Sequence, residues 1–159
     1  MQIDVVIEAP EWEAVDLAGI ADRAVRATLR HLSLERDGVG VSLLGCDDAR
    51  IAALNADFRG KPQPTNVLSW PAEDLAPGMP GGDPAPPGLE EIGDIAIAYE
   101  TCAREAVAQG KPLDAHVTHL LVHATLHLLG YDHMTDPDAD KMEALEVEIL
   151  ATLGVPDPY

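Results

Sequence analysis

The chain has 159 residues, which is the length of one domain that is large enough to bury a core. Its apolar share of 47% and charged share of 24% exclude a disordered chain, and no apolar stretch reaches the roughly 20 residues of a membrane-spanning helix. The net charge of -18, taken alone, argues against nucleic acid as a partner, because phosphate binding depends on Lys and Arg.

The first half of the chain predicts strands and helices in alternation. Alternating β-branched residues indicate strands, and apolar residues at helical spacing indicate helices. The predicted elements are a strand over 3–8 that ends before Pro10, a helix from Trp12 to about Leu34, a strand over 38–44, and a helix capped by Asp47 or Asp48.

The second half contains a long irregular segment and the most apolar helix. Residues 71–91 are rich in Pro and Gly, which predicts one long exposed loop within the domain rather than a linker. The helix between Pro112 and Gly130 is apolar on nearly every side, which is typical of a central, buried helix. The other predicted elements are strands over 66–70 and 92–98, a helix over 99–109, and a last helix from Asp136-Pro137.

Together these elements predict the fold class. They form a single α/β (α+β) domain over residues 1–159, in which about five helices pack on a small mixed sheet of about four strands. The acidic start lacks the basic region of a signal peptide, so we expect a cytoplasmic protein that does not contact a membrane. The two cysteines, Cys46 and Cys102, fit no metal-binding spacing and are expected as free, buried thiols.

Four histidines fall within the central helix. Residues four apart lie on one face, so two neutral imidazoles at that spacing can bind the same metal ion. His119 and His127 are eight residues apart, which places their Cα atoms roughly 12 Å from each other along the helix axis. One ion with nitrogen ligands at about 2.0–2.1 Å cannot readily accept His119, His123 and His127 together. A third ligand must therefore come from outside this helix.

The segment after the helix supplies that ligand. Gly130 allows the chain to leave the helix through a left-handed residue, after which His133 can fold back toward the same face. His123, His127 and His133 then have the spacing HxxxHxxGxxH, which is the ligand spacing of the metzincin zinc proteases. Three histidines predict one zinc ion per chain with an open fourth position, where a water has its pKa lowered to about 7. His31 and His116 are interpreted as ordinary hydrogen-bonded histidines, and the same interpretation is favoured for His119.

The position after the first histidine separates this sequence from the metzincins. The glutamate that serves those proteases as general base is replaced by Ala124. Asp132 could orient a ligand imidazole from behind, as could His119, or Asp132 could simply cap the turn. The ligand spacing without the proteolytic base disfavours peptide hydrolysis.

At this point the sequence resembles a known family. The string HATLHLLGYDH, from His123 to His133, is similar to the HGxLHLxGYDH signature of the YbeY endoribonucleases, which are bacterial metal-dependent enzymes of ribosomal RNA maturation. Upstream, residues 54–71 resemble the family's LNxxFRxxxxPTNVLSFP segment, and residues 92–95 resemble its LGDI strand. Ala124 and Trp70 replace a glycine and a phenylalanine of the family pattern, and the loop 71–91 is longer than expected.

The resemblance implies a single-strand-specific endoribonuclease that acts in ribosomal RNA processing and ribosome quality control. It carries the metal ligands onto His123, His127 and His133, and it singles out Arg59 as catalytic. A guanidinium there could stabilise the negative charge that builds on the phosphoryl oxygens. Zinc is the expected metal, and the nucleophile is left open between metal-bound hydroxide and the RNA 2′-OH.

The acidity of the chain limits how RNA could be held. Arg23, Arg26 and Arg30 share a helical face and could line one groove with Arg59 and Lys61, or they could form only a solvated face. We expect weak binding to free RNA, help from a ribosomal subunit protein, and no DNA substrate. Two other functions compete with this interpretation. One is a metzincin-like hydrolase of peptides or small molecules, and the other is a ribosome-assembly binding module with a structural metal.

Overall fold

A mixed four-stranded sheet positions the other elements of the chain. The computed structural model describes all residues from 1 to 159. Strands β1 (Gln2–Ile7), β2 (Gly40–Cys46) and β4 (Glu91–Ala98) are parallel neighbours in that order, and β3 (Val67–Pro71) pairs antiparallel with β4 at the edge. The predicted mixed sheet of four strands is confirmed.

Five α-helices pack around this sheet. They are α1 (Leu17–His31), α2 (Asp48–Arg59), α3 (Tyr99–Gln109), α4 (Leu113–Leu128) and α5 (Asp136–Thr152). The helix α4 contacts α1, α3, α5 and strand β3, and most of its side chains are buried, so the predicted central helix is confirmed. None of the helices combines the length and the apolar character that a membrane crossing needs.

The predicted helix from Trp12 to Leu34 is wrong at its start. The structure has a short 3-10 helix over Pro10–Val15, and α1 begins only at Leu17. Asp16 separates the two, because its backbone has φ 56° and its side chain accepts a hydrogen bond from the Gly19 amide. The break turns Trp12 into the core, where it is fully buried and its indole N–H donates to the Cys46 carbonyl at 3.0 Å.

The loop between β3 and β4 has no helix or strand over residues 72–90, as predicted, but it is anchored to the body of the protein. Leu75 is buried, although the loop was expected to be exposed. The amide of Gly81 donates to Asp138 at 2.8 Å, and Lys141 donates to the Gly81 carbonyl at 3.3 Å, so the loop is tied to the first turns of α5. Both cysteines are free and buried, as predicted, and burial raises the pKa of Cys46 to about 12.

The start of α2 is joined to α3 by one carboxylate, which gives a test of the fold. Asp48 accepts hydrogen bonds from the Thr101 amide (3.1 Å), the Thr101 hydroxyl (2.7 Å) and the Arg104 guanidinium (3.0 Å). Burial alone would raise the pKa of Asp48, but these hydrogen bonds outweigh it and hold the pKa below its ordinary value of 3.8. The ionised carboxylate therefore stabilises the fold fully at pH values above 3.8, and this contribution is lost as the pH falls through the lowered pKa of the folded state.

We expect Asp48→Asn to lower the free energy of unfolding by about 1–3 kcal/mol at pH 7, the usual cost of losing hydrogen bonds to a charged group. The difference from wild type should shrink below pH 3.8, which urea titrations at several pH values would measure. Asp57→Asn, on the exposed face of the same helix, is the control and should have little effect. If Asp48→Asn lowers the free energy of unfolding by the same amount at every pH, the ionised carboxylate is not the source of the stabilisation.

Candidate functional site

An open cavity of about 470 Å³ lies where the end of α2, strand β3, helix α4 and the turn after α4 meet. This volume is within the range of roughly 300–1,000 Å³ that is usual for ligand sites. The cavity brings together every site residue that the sequence predicted: Arg59, His119, His123, His127, Asp132 and His133. The other lining residues are Asn66, Val67, Ser69, Leu120, Met134 and Tyr159.

Helical spacing and one glycine place the histidines. His123 and His127 are one turn apart on α4, and the chain leaves the helix at Gly130, whose φ of 101° is in the left-handed region. A side chain at this position would also place its Cβ only 2.7 Å from the Leu75 carbonyl oxygen of the anchored loop. The turn then brings His133 back to the helix, with its ring centre 5.5 Å from that of His123.

Two of the three imidazoles are held from behind by oxygen acceptors. His123 donates from Nδ1 to a carboxylate oxygen of Glu146 at 3.1 Å, and His127 donates from Nδ1 to the Tyr131 carbonyl at 3.2 Å. An acceptor oxygen at Nδ1 fixes the proton there, so the Nε2 lone pair is available to a metal. Burial lowers the pKa of His127, and the charge of Arg59 lowers it further, which keeps the imidazole in the neutral form that binds metals.

Three imidazoles are suitable ligands for a zinc ion, although their side chains are not arranged around one common metal position in this structure. Two imidazoles on one tetrahedral zinc, with bonds of about 2.0–2.1 Å, have ring centres roughly 5 Å apart, close to the 5.5 Å between His123 and His133. No group of three or more His, Cys, Asp or Glu side chains is already arranged to hold a metal. His133 is exposed on a segment without regular structure, and its side chain takes part in none of the hydrogen bonds that hold His123 and His127.

Sequence reasoning missed the carboxylate behind the histidines. Glu146 lies on α5 with a side chain only 1% exposed, and it accepts hydrogen bonds from His119 (2.9 Å), His123 (3.1 Å) and the Tyr159 hydroxyl (2.8 Å). Burial would raise its pKa, but the hydrogen bonds from the two histidines lower the pKa to about 2, so Glu146 is ionised. The signal in the sequence was an acidic residue inside the apolar stripe of α5, four residues after Met142.

The structure separates the remaining predicted residues by their contacts. His119 donates from Nε2 to Glu146, and it therefore lies beside the three candidate ligands without joining them. Asp132 accepts from the Met134 amide at 3.1 Å, which is the capping contact and not a contact to an imidazole. Away from the candidate ligands, His31 pairs with Glu148 and the buried His116 with Glu105.

Arg59 is exposed at the end of α2 and lines the cavity. An exposed arginine in so acidic a chain would ordinarily form a surface salt bridge, but Arg59 takes part in none of the ion pairs of the structure. Its guanidinium is therefore available to an anionic ligand in the cavity.

Of the two interpretations of the five basic side chains, the structure contradicts the single groove. Arg23, Arg26 and Arg30 line a separate cavity that shares no residue with the histidine cavity. Arg26 and Arg30 are also paired with Glu35, and Arg26 with Asp22 as well, because acidic side chains surround this face of α1. The solvated face that was the other interpretation of these arginines describes them better.

Comparisons with known proteins agree on one family. The family model described as Endoribonuclease YbeY matches residues 3–154. An Endoribonuclease YbeY of Jannaschia sp. (strain CCS1) is 61% identical over 160 residues and 100% of both chains, and one of Paracoccus denitrificans (strain Pd 1222) is 60% identical over 157 residues, 99% of this chain and 89% of its own.

A solved structure supports the fold. The solution structure of TM1509 from Thermotoga maritima has a TM-score of 0.58 to this chain, covers 96% of it with 92% of its own chain, and is 17% identical in sequence. At that identity the likeness concerns the arrangement of strands and helices, and the sequence matches to the family carry the assignment. The chain therefore belongs to the endoribonuclease YbeY family, a family of hydrolases that act on RNA phosphodiester bonds.

Proposed function

We propose that this chain is a metal-dependent endoribonuclease that cleaves single-stranded RNA in ribosomal RNA processing and ribosome quality control in the cytoplasm. The observation that carries the proposal is one cavity lined by three histidines at metal-ligand spacing and by an arginine without an ion pair, in a chain of the YbeY family. Both features can stabilise the negative charge that develops on the phosphoryl oxygens as the phosphodiester bond breaks.

His123, His127 and His133 would hold one zinc ion. An imidazole that donates its Nδ1 proton to an oxygen has the Nε2 lone pair available to a metal, and the contacts of His123 and His127 fit that arrangement. A bound zinc ion would supply Lewis-acid polarisation of a phosphoryl oxygen and a lowered pKa for water. Glu146 and the Tyr131 carbonyl would keep the two rings oriented while substrate enters and leaves.

Arg59 would bind and stabilise the phosphoryl group. Its guanidinium presents paired N–H donors in a plane, which match the oxygens of a phosphate. Since the side chain is exposed, it can turn to the substrate without breaking an existing ion pair. The gain is largest in the transition state, where the negative charge on those oxygens is greatest.

Glu146 does not restore the peptidase alternative. A metzincin-like base must reach the cavity, but Glu146 is buried, does not line the cavity, and has its oxygens bound to His119, His123 and Tyr159. The position after His123 remains Ala124, which is itself buried. A peptidase of the metzincin type would therefore lack its general base in this cavity.

The charge of the chain favours assisted binding to ribosomal RNA. A net charge of -18 repels the RNA backbone, and two of the three arginines of α1, Arg26 and Arg30, are paired with Glu35. We infer that a ribosomal subunit protein contributes to binding, and that free RNA binds weakly. DNA is not an expected substrate.

An RNA cleavage assay with and without a chelator tests the proposal, with a peptidase assay beside it. We expect cleavage of a single-stranded RNA, at least 100-fold less cleavage after chelation, recovery with zinc, and no peptide hydrolysis. Cleavage that survives removal of all metal would overturn the metal assignment. A chain that binds one zinc per molecule and cleaves neither substrate would instead support the binding module with a structural metal.

A further inference from the structure

The segment after α5 brings to the cavity the aromatic side chain of Tyr159, which the sequence patterns did not indicate. Lys111 donates to the Pro158 carbonyl at 3.3 Å, which joins this segment to the turn before α4, and within the segment Asp157 accepts from the Tyr159 amide at 2.8 Å. The Tyr159 hydroxyl donates to the buried Glu146 at 2.8 Å. The ring is thereby fixed at its polar end.

The rest of the ring is open. The Tyr159 residue is 61% exposed, although its hydroxyl is bound to a buried carboxylate. Its aromatic neighbour, the His119 ring, meets it edge to face, with ring centres 5.7 Å apart and planes at 87°. No ring is stacked in parallel on Tyr159, although the side chain lines the same cavity as the three candidate ligands.

We propose that Tyr159 is a nucleobase-binding subsite, on which a base close to the cleaved bond of single-stranded RNA stacks. This inference rests on the proposed function and extends it. Every base has a flat face, so stacking on a tyrosine binds single strands without selecting a sequence. A duplex hides those faces, and a stacking subsite therefore favours single-stranded over paired RNA.

Charge interactions alone offer this protein little affinity for RNA, so a contact to the bases would add to binding. The cavity holds one arginine without an ion pair, and the chain as a whole repels phosphates. Stacking does not depend on Lys or Arg, so it can supply affinity that this acidic protein lacks. The anchored hydroxyl reduces the loss of side-chain freedom on binding, since the ring is already held at one end.

Two variants separate stacking from the hydrogen bond to Glu146. Tyr159→Phe and Tyr159→Leu both remove the hydroxyl, but only Phe keeps a flat ring. In steady-state cleavage of a short single-stranded RNA by the zinc-loaded protein, we expect Tyr159→Leu to raise KM roughly 5- to 150-fold relative to Tyr159→Phe. Met79→Ala removes an exposed apolar side chain from the loop 72–90, outside the cavity, and should leave KM unchanged.

A scan of the RNA with single abasic nucleotides locates the contact. With the Tyr159→Phe enzyme, removal of the base at one RNA position near the cleaved bond should raise KM. With the Tyr159→Leu enzyme, removal of that same base should change KM little, because the stacking contact is already lost. Equal KM values for the two variants, or an unchanged effect of base removal in Tyr159→Leu, would overturn the stacking subsite. RNA cleavage by the wild type in those cases would leave the proposed function standing, whereas a wild type that cleaves no RNA would refute both.

Discussion

His127→Ala should remove both the metal and the activity. Loss of a partner that only orients a ligand costs 10- to 100-fold in metal affinity, so loss of a ligand itself should cost more than about 100-fold. We expect elemental analysis to show about one zinc per chain for the wild type and almost none for the variant, with RNA cleavage falling in parallel. His127 is a sharper choice than His123, because its Nδ1 partner is the Tyr131 carbonyl, whereas His123→Ala would also strip a hydrogen bond from the buried Glu146.

The matched control for this substitution is His31→Ala. His31 is also a helical histidine paired with an oxygen acceptor, Glu148 at 2.9 Å, but it lies in the cavity of the α1 arginines. This variant should keep its zinc and its activity. A His127→Ala protein that retained one zinc per chain would show that the ligand set is wrong. Retained cleavage by a zinc-free variant would show that the metal has no part in the reaction.

The positions of the three candidate ligands followed from the sequence because short-range geometry determines them. The four-residue spacing of His123 and His127 and the left-handed turn at Gly130 depend on neighbouring residues alone. Strands and helices with regular patterns were predicted for the same reason, to within a few residues at their ends. The start of α1 was not predicted, because Trp12 is buried against the distant end of β2, where it donates to the Cys46 carbonyl, and this contact overrides the local helical pattern.

Contacts between distant elements were beyond sequence reasoning. Glu146 is 19 residues after His127 and Tyr159 is 13 residues after Glu146, and the packing of α5 on α4 is what brings them to the histidines. The same limit applies to the basic groove. Shared helical spacing correctly placed Arg23, Arg26 and Arg30 on one face, but no pattern showed that they line a different cavity from Arg59.

Arg59→Glu should abolish RNA cleavage while the zinc content stays at the wild-type level. Removing one donor that stabilises a transition-state oxyanion costs about 10²–10³ in kcat, and a carboxylate in its place adds repulsion of the phosphate. We therefore expect kcat/KM to fall by about 10³-fold or more. Arg59→Lys keeps the charge but loses the planar pair of donors, and it should recover part of the activity. Because Arg59 is exposed and unpaired, neither variant should change the melting temperature by more than a few degrees.

Arg23→Glu is the control that separates a local effect from the general charge of the protein. It makes the same change of charge at another exposed arginine without an ion pair, in the second cavity, so the net charge of the two variants is identical. If Arg59 acts on the phosphoryl group, Arg23→Glu should keep kcat/KM within a fewfold of wild type at physiological salt, where charges beyond about 8 Å are screened. Equal losses in both variants would mean that the activity follows the overall charge. Full activity of Arg59→Glu would show that Arg59 is an ordinary surface residue without a role in cleavage.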